Sequence, residues 1–335
     1  MIRPLLILIT LFSPIIIWGQ SIRPVVKHLA DSIAKYDRID ELYIGYPVTK
    51  SKQYERIIQL TDISFSAELL ELTENNNTTI KCAAFQSLCA KDSVDVIPIV
   101  ITHLYDTSLV AIQEGCLGSR KMTGDYFLQT FYQYLTTKDS SYLVRNYSGI
   151  AKIDSIIFYD RDILLGYKEA KIKSINGDTL YYDRVREIAI KERIPVSVLA
   201  LAKYRKQQDK EIIESYFSDK RTQYYAIWAV REFPDSTFYP LLIKVFENEW
   251  KSKYYDYLKW RILYQAQAQY PNEKTLALFD KTIAVRNKFK RQTLGRYLTI
   301  AITKYPNTLF EKYRNKVEID KLYKDFLVEE ANIEN

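Results

Sequence analysis

The histidine and cysteine residues of this sequence are the first candidates for a chemical role, because side chains of these types at suitable spacing can bind a metal ion. The chain has two histidines and three cysteines, which are His28, His103, Cys82, Cys89 and Cys116. Cys82 and Cys89 share one face of a predicted helix, and His103 lies on the next helix, so the three could meet and bind zinc. Both cysteines would have to turn away from the core together. Small buried side chains are therefore the favoured interpretation, and we predict no metal site.

Disulfide pairing stays open at Cys116. Cys82 and Cys89 are seven positions apart on one predicted helix, which places them roughly 10 Å apart along the helix axis. A disulfide joins Cα atoms within about 7 Å, so these two cannot pair with each other. Either one could pair with Cys116 and leave the other free, whereas the favoured alternative is three buried thiols.

Enzyme motifs with a known mechanism are absent from the sequence. There is no GxSxG, HExxH, GxxxxGK[ST], GxGxxG or CxxC pattern. Glycine is scarce, at 9 in 335 residues, which weighs against Gly-rich phosphate-binding loops. Carboxylates are plentiful, but none pair at a recognisable cleft, as general acid and base catalysis would require. We predict a non-enzymatic protein with no catalytic residues and no cofactor.

Composition predicts a folded chain with a mixed, mildly basic surface. Hydrophobic residues make up 47% and charged residues 27%, which is enough for a packed core. The formal net charge is +7, and the charges of both signs are interspersed. Such a surface permits weak attraction to anionic polymers but does not identify a partner.

The N-terminus resembles a secretory signal peptide. Arg3 precedes an apolar run from Leu5 to Trp18, and Gly19 offers a small residue before a cut near Gly19/Gln20. We predict a signal peptide over residues 1–19 and export to the periplasm or the cell exterior. The run is shorter than the about 20 residues of a membrane span, and we expect no span in the mature chain.

The elements that follow are predicted to be mostly helical. One apolar stripe contains Ile80 and Leu88 and another contains Ile97 and Leu104, with Asp92 or Ser93 as the cap between the two helices. A further helix is expected over Phe65–Glu74.

The middle of the chain has less periodicity. Three glycines within "GCLGSRKMTG" (115–124) indicate either an anion-binding loop with Arg120 and Lys121 or, as favoured, a helix break or close helix packing. Lys138–Ser148 is predicted to be a loop. "SINGDT" (174–179) reads either as a hairpin turn or, as favoured, as a helix end followed by a cap at Asp178 or Thr179.

A sequence pattern recurs three times near the C-terminus, as "VREFPD", "QAQYPN" and "ITKYPN". Its aromatic residues, Phe233, Tyr270 and Tyr305, are 37 and then 35 residues apart. An alanine stands four residues before each aromatic, and a proline and then Asp or Asn follow it. The alanine would allow close helix approach, proline would end one helix, and Asp or Asn would cap the next. A period of 35–40 residues with two helices per unit is typical of an α-solenoid.

On these residues, the chain resembles HEAT-repeat proteins, and the N-terminal stretch "TIKCAAFQSL" resembles a HEAT helix, with Lys81 where arginine is usual. The resemblance implies an all-α solenoid of stacked helix pairs that binds macromolecules along a curved surface. We expect N-terminal repeats over 20–150 and C-terminal repeats of the same solenoid over 151–335.

The predicted binding face lies on the C-terminal repeats, where Arg and aromatic residues recur at helical spacing. Each of these residues taken singly could instead be packing between repeats. We predict a protein partner and regard nucleic acid as disfavoured by the signal peptide. The alternatives are binding of an anionic or glycan envelope polymer, or an unrecognised enzyme built on a HEAT-like solenoid. The candidate binding residues are Arg221, Tyr225, Trp228, Trp260, Arg261 and Tyr297.

Overall fold

The computed structural model describes residues 22–252, 256–314 and 316. The predicted signal peptide, 1–19, lies outside the described residues. The chain divides into two compact units, which are unit 1 (Met1–Ile156 and Asp162–Leu165) and unit 2 (Ile157–Arg161 and Gly166–Asn335). The described residues are mostly helical, which confirms the predicted helical character.

Unit 1 combines helices with a sheet. Within the described residues the sheet has four strands in the order β2-β1-β3-β4, with β1 parallel to β3 and the other pairs antiparallel. The all-α prediction is wrong in this respect. In chain order the elements are α1 (Pro24–Tyr36), β1 (Ile39–Ile44), β2 (Thr49–Lys50), α2 (Lys52–Ile63), α3 (Ser66–Thr73), α4 (Thr78–Lys91), α5 (Ile97–His103), β3 (Leu109–Gly115), β4 (Leu117–Met122), α6 (Thr123–Thr136), α7 (Ser140–Arg145) and α8 (Tyr147–Tyr159), whose last residues belong to unit 2.

The glycine-rich stretch 115–124 is a hairpin rather than a loop or a helix break. Gly115 takes a φ of 54° at the turn between β3 and β4, a conformation that glycine adopts without strain. Gly124 lies where α6 begins, and a Cβ there would come within 2.7 Å of the His103 carbonyl oxygen. Close packing, the favoured sequence interpretation, therefore applies to Gly124 alone.

Two local predictions in unit 1 need correction. Asp95, rather than Asp92 or Ser93, accepts the Ile97 N–H at 3.0 Å. Asp92 instead ends α4 in a left-handed conformation with a φ of 53°. Residues 138–148, predicted to be a loop, contain α7, whose first turn is capped by Asp139 accepting the Tyr142 N–H at 2.7 Å.

All the secondary-structure elements in the described part of unit 2 are helices. Short 3₁₀ segments lie between or after its α-helices, at Thr179–Tyr181, Gln207–Asp209, Ser236–Phe238 and Thr308–Tyr313. A π-helical segment spans Ile188–Glu192. Asp178 caps the first 3₁₀ segment, as the sequence predicts, because it accepts the Leu180 N–H at 2.9 Å. The α-helices are α9 (Gly166–Ser174), α10 (Tyr182–Glu187), α11 (Ser197–Ala202), α12 (Lys210–Ser215), α13 (Lys220–Glu232), α14 (Tyr239–Lys251), α15 (Tyr257–Ala268), α16 (Glu273–Ile283) and α17 (Lys288–Lys304).

Alternate helices of unit 2 pack against one another in chain order. Helix α9 contacts α11, α11 contacts α13, α13 contacts α15 and α15 contacts α17, and we call these five the helix row. Helices α12, α14 and α16 each contact the row helix that follows. Ala229, Ala266 and Ala301, the small residues of the repeated pattern, are fully buried in the row, as close helix approach requires.

The repeated caps occur at the same place in each copy. Asp235 accepts the Thr237 N–H at 3.0 Å, Asn272 accepts the Lys274 N–H at 3.0 Å, and Asn307 accepts the Leu309 N–H at 3.0 Å. Tyr270 links two copies, because its hydroxyl donates to the Asp235 carbonyl at 2.9 Å. The predicted role of this pattern, which is to end one helix and begin the next, is confirmed.

Candidate functional site

Three of the predicted binding residues lie along α13. Arg221 is exposed at the start of the helix and pairs with the capping residue Asp219, with Nη2 and Oδ2 2.7 Å apart. Tyr225 is half-buried, with its ring perpendicular to that of Tyr224 at 5.2 Å. Trp228 is only 5% exposed. Accessible surface therefore decreases along α13 from Arg221 to Trp228.

The other three predicted residues lie on α15 and α17. Trp260 is fully buried and packs against Phe246 and Tyr264, with ring centroids 5.1 and 5.6 Å away. It offers no surface to a partner in this conformation. Arg261 and Tyr297 are half-buried. The six predicted residues therefore do not form one exposed column, and the prediction that they form a binding face stays a prediction.

A groove of about 670 Å³ crosses the C-terminal ends of three successive row helices. This volume lies within the range of about 300–1,000 Å³ that is typical of ligand sites. Trp228 is the predicted binding residue that lines it. The lining comprises Ala170, Lys173, Ser174 and Asn176 at the end of α9, Leu199 and Lys203 at the end of α11, and Trp228, Arg231 and Glu232 at the end of α13.

Two cations of the groove lie over the Trp228 ring. The Lys173 ammonium is 4.8 Å from the ring centroid, and the Arg231 guanidinium carbon is 5.3 Å from it. Both distances allow a cation–π interaction. The ring thus holds two long side chains at the groove, and the small exposed part of Trp228 adds an apolar wall.

Arg231 and Lys203 are tied to neighbouring groups by hydrogen bonds. Arg231 donates to Glu232 Oε1 from Nε at 3.1 Å and from Nη2 at 2.7 Å, and its Nη1 donates to Gln265 Oε1 at 2.8 Å. Lys203 donates to the carbonyl oxygens of Lys173 and Ile175, both at 3.0 Å, where α9 ends. A lysine at that position satisfies free carbonyls and opposes the negative end of the helix dipole.

Sequence reasoning missed Lys173, Lys203 and Arg231. A signal for them exists, because each lies at the C-terminal end of a row helix, where basic residues complement the helix dipole. That signal alone predicts a helix end rather than a binding groove. The groove arises because the row brings three such helix ends together.

Cys82, Cys89 and His103 of the hypothetical zinc site all lie in unit 1. Cys82 and Cys89 are buried and Cys116 is exposed, and all three are free thiols. His103 instead packs on Phe127 at 4.4 Å and lies 3.3 Å from Glu74 Oε1 through Nε2. Across 22–252, 256–314 and 316, no group of three or more His, Cys, Asp or Glu side chains could hold a metal ion.

Unit 1 has a smaller polar cleft of about 180 Å³ between the sheet and helices α2, α4 and α6. Glu41 and Glu114 reach it from the neighbouring parallel strands β1 and β3. Tyr126 lines its helical side and donates to Gln86 Oε1 at 2.9 Å. The charged residues of this cleft are acidic, whereas those of the unit 2 groove are mainly basic.

Neither unit offers a helix suited to crossing a bilayer, as far as the described residues extend. No protein-family model matches the chain, and neither a curated protein nor a solved structure matches it. The resemblance to HEAT repeats therefore depends on the chain's own pattern, and the candidate site depends on the geometry of its groove.

Proposed function

We propose that this protein is an exported, non-enzymatic scaffold built on HEAT-like repeats, and that the groove at residues 170–232 binds a protein partner. The groove is the observation that carries this proposal. It crosses three helices of the row, which is how a helical-repeat protein presents a continuous surface to another macromolecule. The stacking of unit 2 as an α-solenoid belongs to the same proposal.

Repetition within unit 2 supports the solenoid part. The buried alanines and the Asp or Asn caps recur at the spacing of the sequence pattern, and the Tyr270 hydroxyl links two of the copies. Each row helix contacts the next, so successive copies bury one another's apolar faces. Export is supported by the pattern of residues 1–19.

Site-specific photo-crosslinking tests the proposed function. A photoreactive phenylalanine analogue replaces Tyr225, which is half-buried on the helix that forms one wall of the groove. In the cells that produce the protein, we expect a discrete protein adduct after illumination. Tyr225 lies one helical turn before the lining residue Trp228, and the matched control places the same analogue at Lys244, an exposed position on α14, a helix that contributes no residue to the groove. Equal labelling at both positions, or no protein adduct at Tyr225, would contradict the proposal.

An envelope polymer remains the second candidate, because unit 2 has a small cavity with exposed aromatic rings. Tyr257 and Phe289 are 43% and 68% exposed and line this cavity of about 180 Å³ together with Lys290. Aromatic rings beside a lysine suit sugar stacking or a weakly held anionic chain. Binding of isolated cell-wall glycan that is lost in Phe289→Ser but kept in Lys173→Glu would favour this candidate.

A further inference from the structure

We propose that the groove of unit 2 selects a partner segment that carries carboxylates, and that Lys173 is the residue that recognises them. This inference depends on the proposed function, because it specifies the chemistry of the segment that the groove binds. The occupant is an extended acidic stretch of a protein.

Formal charge in the groove favours an acidic occupant. Lys173, Lys203 and Arg231 line it together with a single carboxylate, that of Glu232, so its side chains carry a formal charge of +2 (three cations less one anion). The helix ends that meet there contribute partial negative charge, which falls off within the last turn. Lys203 already bonds two of those carbonyls, and Gln269 Nε2 donates to the Arg231 carbonyl at 2.7 Å. The groove therefore remains positive toward a ligand.

Lys173 differs from the other two cations in its contacts. Arg231 is paired with Glu232, and Lys203 is bonded to three oxygens at the end of α9. The contact that Lys173 makes within the described residues is with the Trp228 ring. A cation–π contact is weaker than a direct ion pair with a desolvated carboxylate, so Lys173 can exchange the ring for a ligand carboxylate without breaking an existing ion pair.

The surroundings of Lys173 fit a peptide side chain. Ala170 and Leu199 provide apolar wall beside it, and Ser174 and Asn176 provide hydroxyl and amide groups for a peptide backbone. The cavity of about 670 Å³ is large enough for several extended residues. A glutamate side chain would place its methylenes against this wall and its carboxylate at the Lys173 ammonium.

Glu232 acts as a built-in competitor for this ligand. Its Oε1 accepts two of the three Arg231 side-chain hydrogen bonds, the third going to Gln265, and so neutralises the second cation over Trp228. Removing the Glu232 charge should leave the Arg231 charge uncompensated and make the groove more positive toward the ligand. Glu232→Gln therefore has an expected effect opposite to that of Lys173→Glu, and a variant that only loosens the fold would not bind the ligand more tightly.

Binding of two short fluorescein-labelled peptides to the full-length protein tests the inference. One is an oligoglutamate flanked by glycines, and the other is its oligoglutamine counterpart. We expect wild type to bind the oligoglutamate about ten-fold more tightly at low salt, and expect Lys173→Glu to abolish that preference. Glu232→Gln should tighten oligoglutamate binding about three-fold, and the control Lys244→Glu should bind as wild type does.

The outcomes separate this inference from the proposed function. Equal affinity of wild type for the two peptides, or a preference that persists in Lys173→Glu, overturns the acidic-segment inference even if photo-crosslinking at Tyr225 captures a protein. An absent adduct at Tyr225 overturns the proposed function whatever the peptides do. Dextran sulfate is the polymer probe. If Lys173→Glu and Lys244→Glu weaken the affinity for dextran sulfate equally, the recognition is a general polyanion effect and the inference is wrong.

Discussion

Units 1 and 2 both contain ion pairs between residues far apart in sequence, but they differ in whether their stabilising contacts repeat along the chain. In unit 1, side chains far apart in sequence are tied by ion pairs, such as Arg23 with Glu68 and Lys81 with Asp106, and β1 pairs with β3 across a long insertion. In unit 2, the same small set of packing and capping contacts recurs at the repeat spacing. A repeated contact leaves a pattern in the sequence, whereas a single long-range contact does not.

The largest expected effect tests whether the aromatic core of unit 2 is structural. Trp260→Ala removes a fully buried ring between Phe246 and Tyr264, and we expect the free energy of unfolding to fall by about 3–5 kcal/mol. Urea denaturation followed by circular dichroism measures it. The matched control is Tyr257→Ala, three residues earlier and 43% exposed. If the free energy of unfolding of Trp260→Ala equals that of wild type, Trp260 belongs to a surface rather than to the core.

A smaller effect tests the ion pairs of unit 1. Glu68 accepts hydrogen bonds from Arg23 Nη2 at 2.7 Å and from the Phe65 N–H at 2.8 Å. The Arg23 hydrogen bonds, more than any other cause, lower the pKa of Glu68 to about 2. Glu68→Gln should cost about 1.5–3 kcal/mol at neutral pH.

The sign of the pH dependence follows from that lowered pKa. The stabilisation by Glu68 is complete above its ordinary pKa of 4.5 and is lost as the pH falls from there toward about 2. Wild type and Glu68→Gln should therefore converge in stability as the pH approaches 2. Glu71→Gln, at an exposed position of the same helix, provides the control. A difference between wild type and Glu68→Gln that is independent of pH would show that the ion pair is not its cause.

Equivalence of the repeats can be tested at their caps. Asn272→Ala and Asp235→Ala each remove a side chain that accepts backbone N–H groups at the start of the next helical segment. We expect each to lower the free energy of unfolding by about 1 kcal/mol, as measured by thermal melts of the two variants in parallel. Asn272→Asp, which keeps the cap, is the control. Asp235 also pairs with Lys210, and Asn272 also accepts from the Tyr239 hydroxyl, so the two losses can differ in size. An alanine variant that lost no stability would break the equivalence on which the comparison of the units relies.

The smallest effect concerns His103 in unit 1. Burial, the largest cause, lowers the pKa of His103 below its ordinary 6.5, although Glu74 and Asp106 oppose this and Lys81 adds to it. The unfolded chain therefore binds a proton more readily, and stability should decline as the pH drops below about 6.5. His103→Gln should flatten that part of the stability curve measured by urea denaturation between pH 7 and 5. An unchanged slope would contradict this assignment.

The sequence predicted unit 2 better than unit 1 for a physical reason. Ala266 and Asn272 have the same structural roles as their counterparts in the other two copies, so three copies reveal each role. Strands β1 and β3 are short, and "LVAI" at the start of β3 fits a buried helix as well as a strand. Strand β4 is an exposed edge without an apolar face, which leaves no periodic signal. The parallel pairing of β1 with β3 cannot be inferred from either strand alone.

The candidate site was predicted only in part. The sequence indicates Trp228 because aromatic residues stand out on a helical face, but Trp228 is only 5% exposed and lies against the Lys173 and Arg231 side chains. Lys173 lies on α9, far from α13 in sequence. Only the packing of α9, α11 and α13 brings these residues to one groove, and helical periodicity does not report which helices are neighbours.

The affinity of the crosslinked partner tests the central claim, that the groove of unit 2 is the binding site, most directly. The partner identified at Tyr225 is titrated against wild type, Lys173→Glu and Lys244→Glu, all as full-length protein with melting temperatures recorded. The account predicts about ten-fold weaker binding by Lys173→Glu, unchanged binding by Lys244→Glu and similar melting of all three. Equal affinity for the three proteins would contradict it.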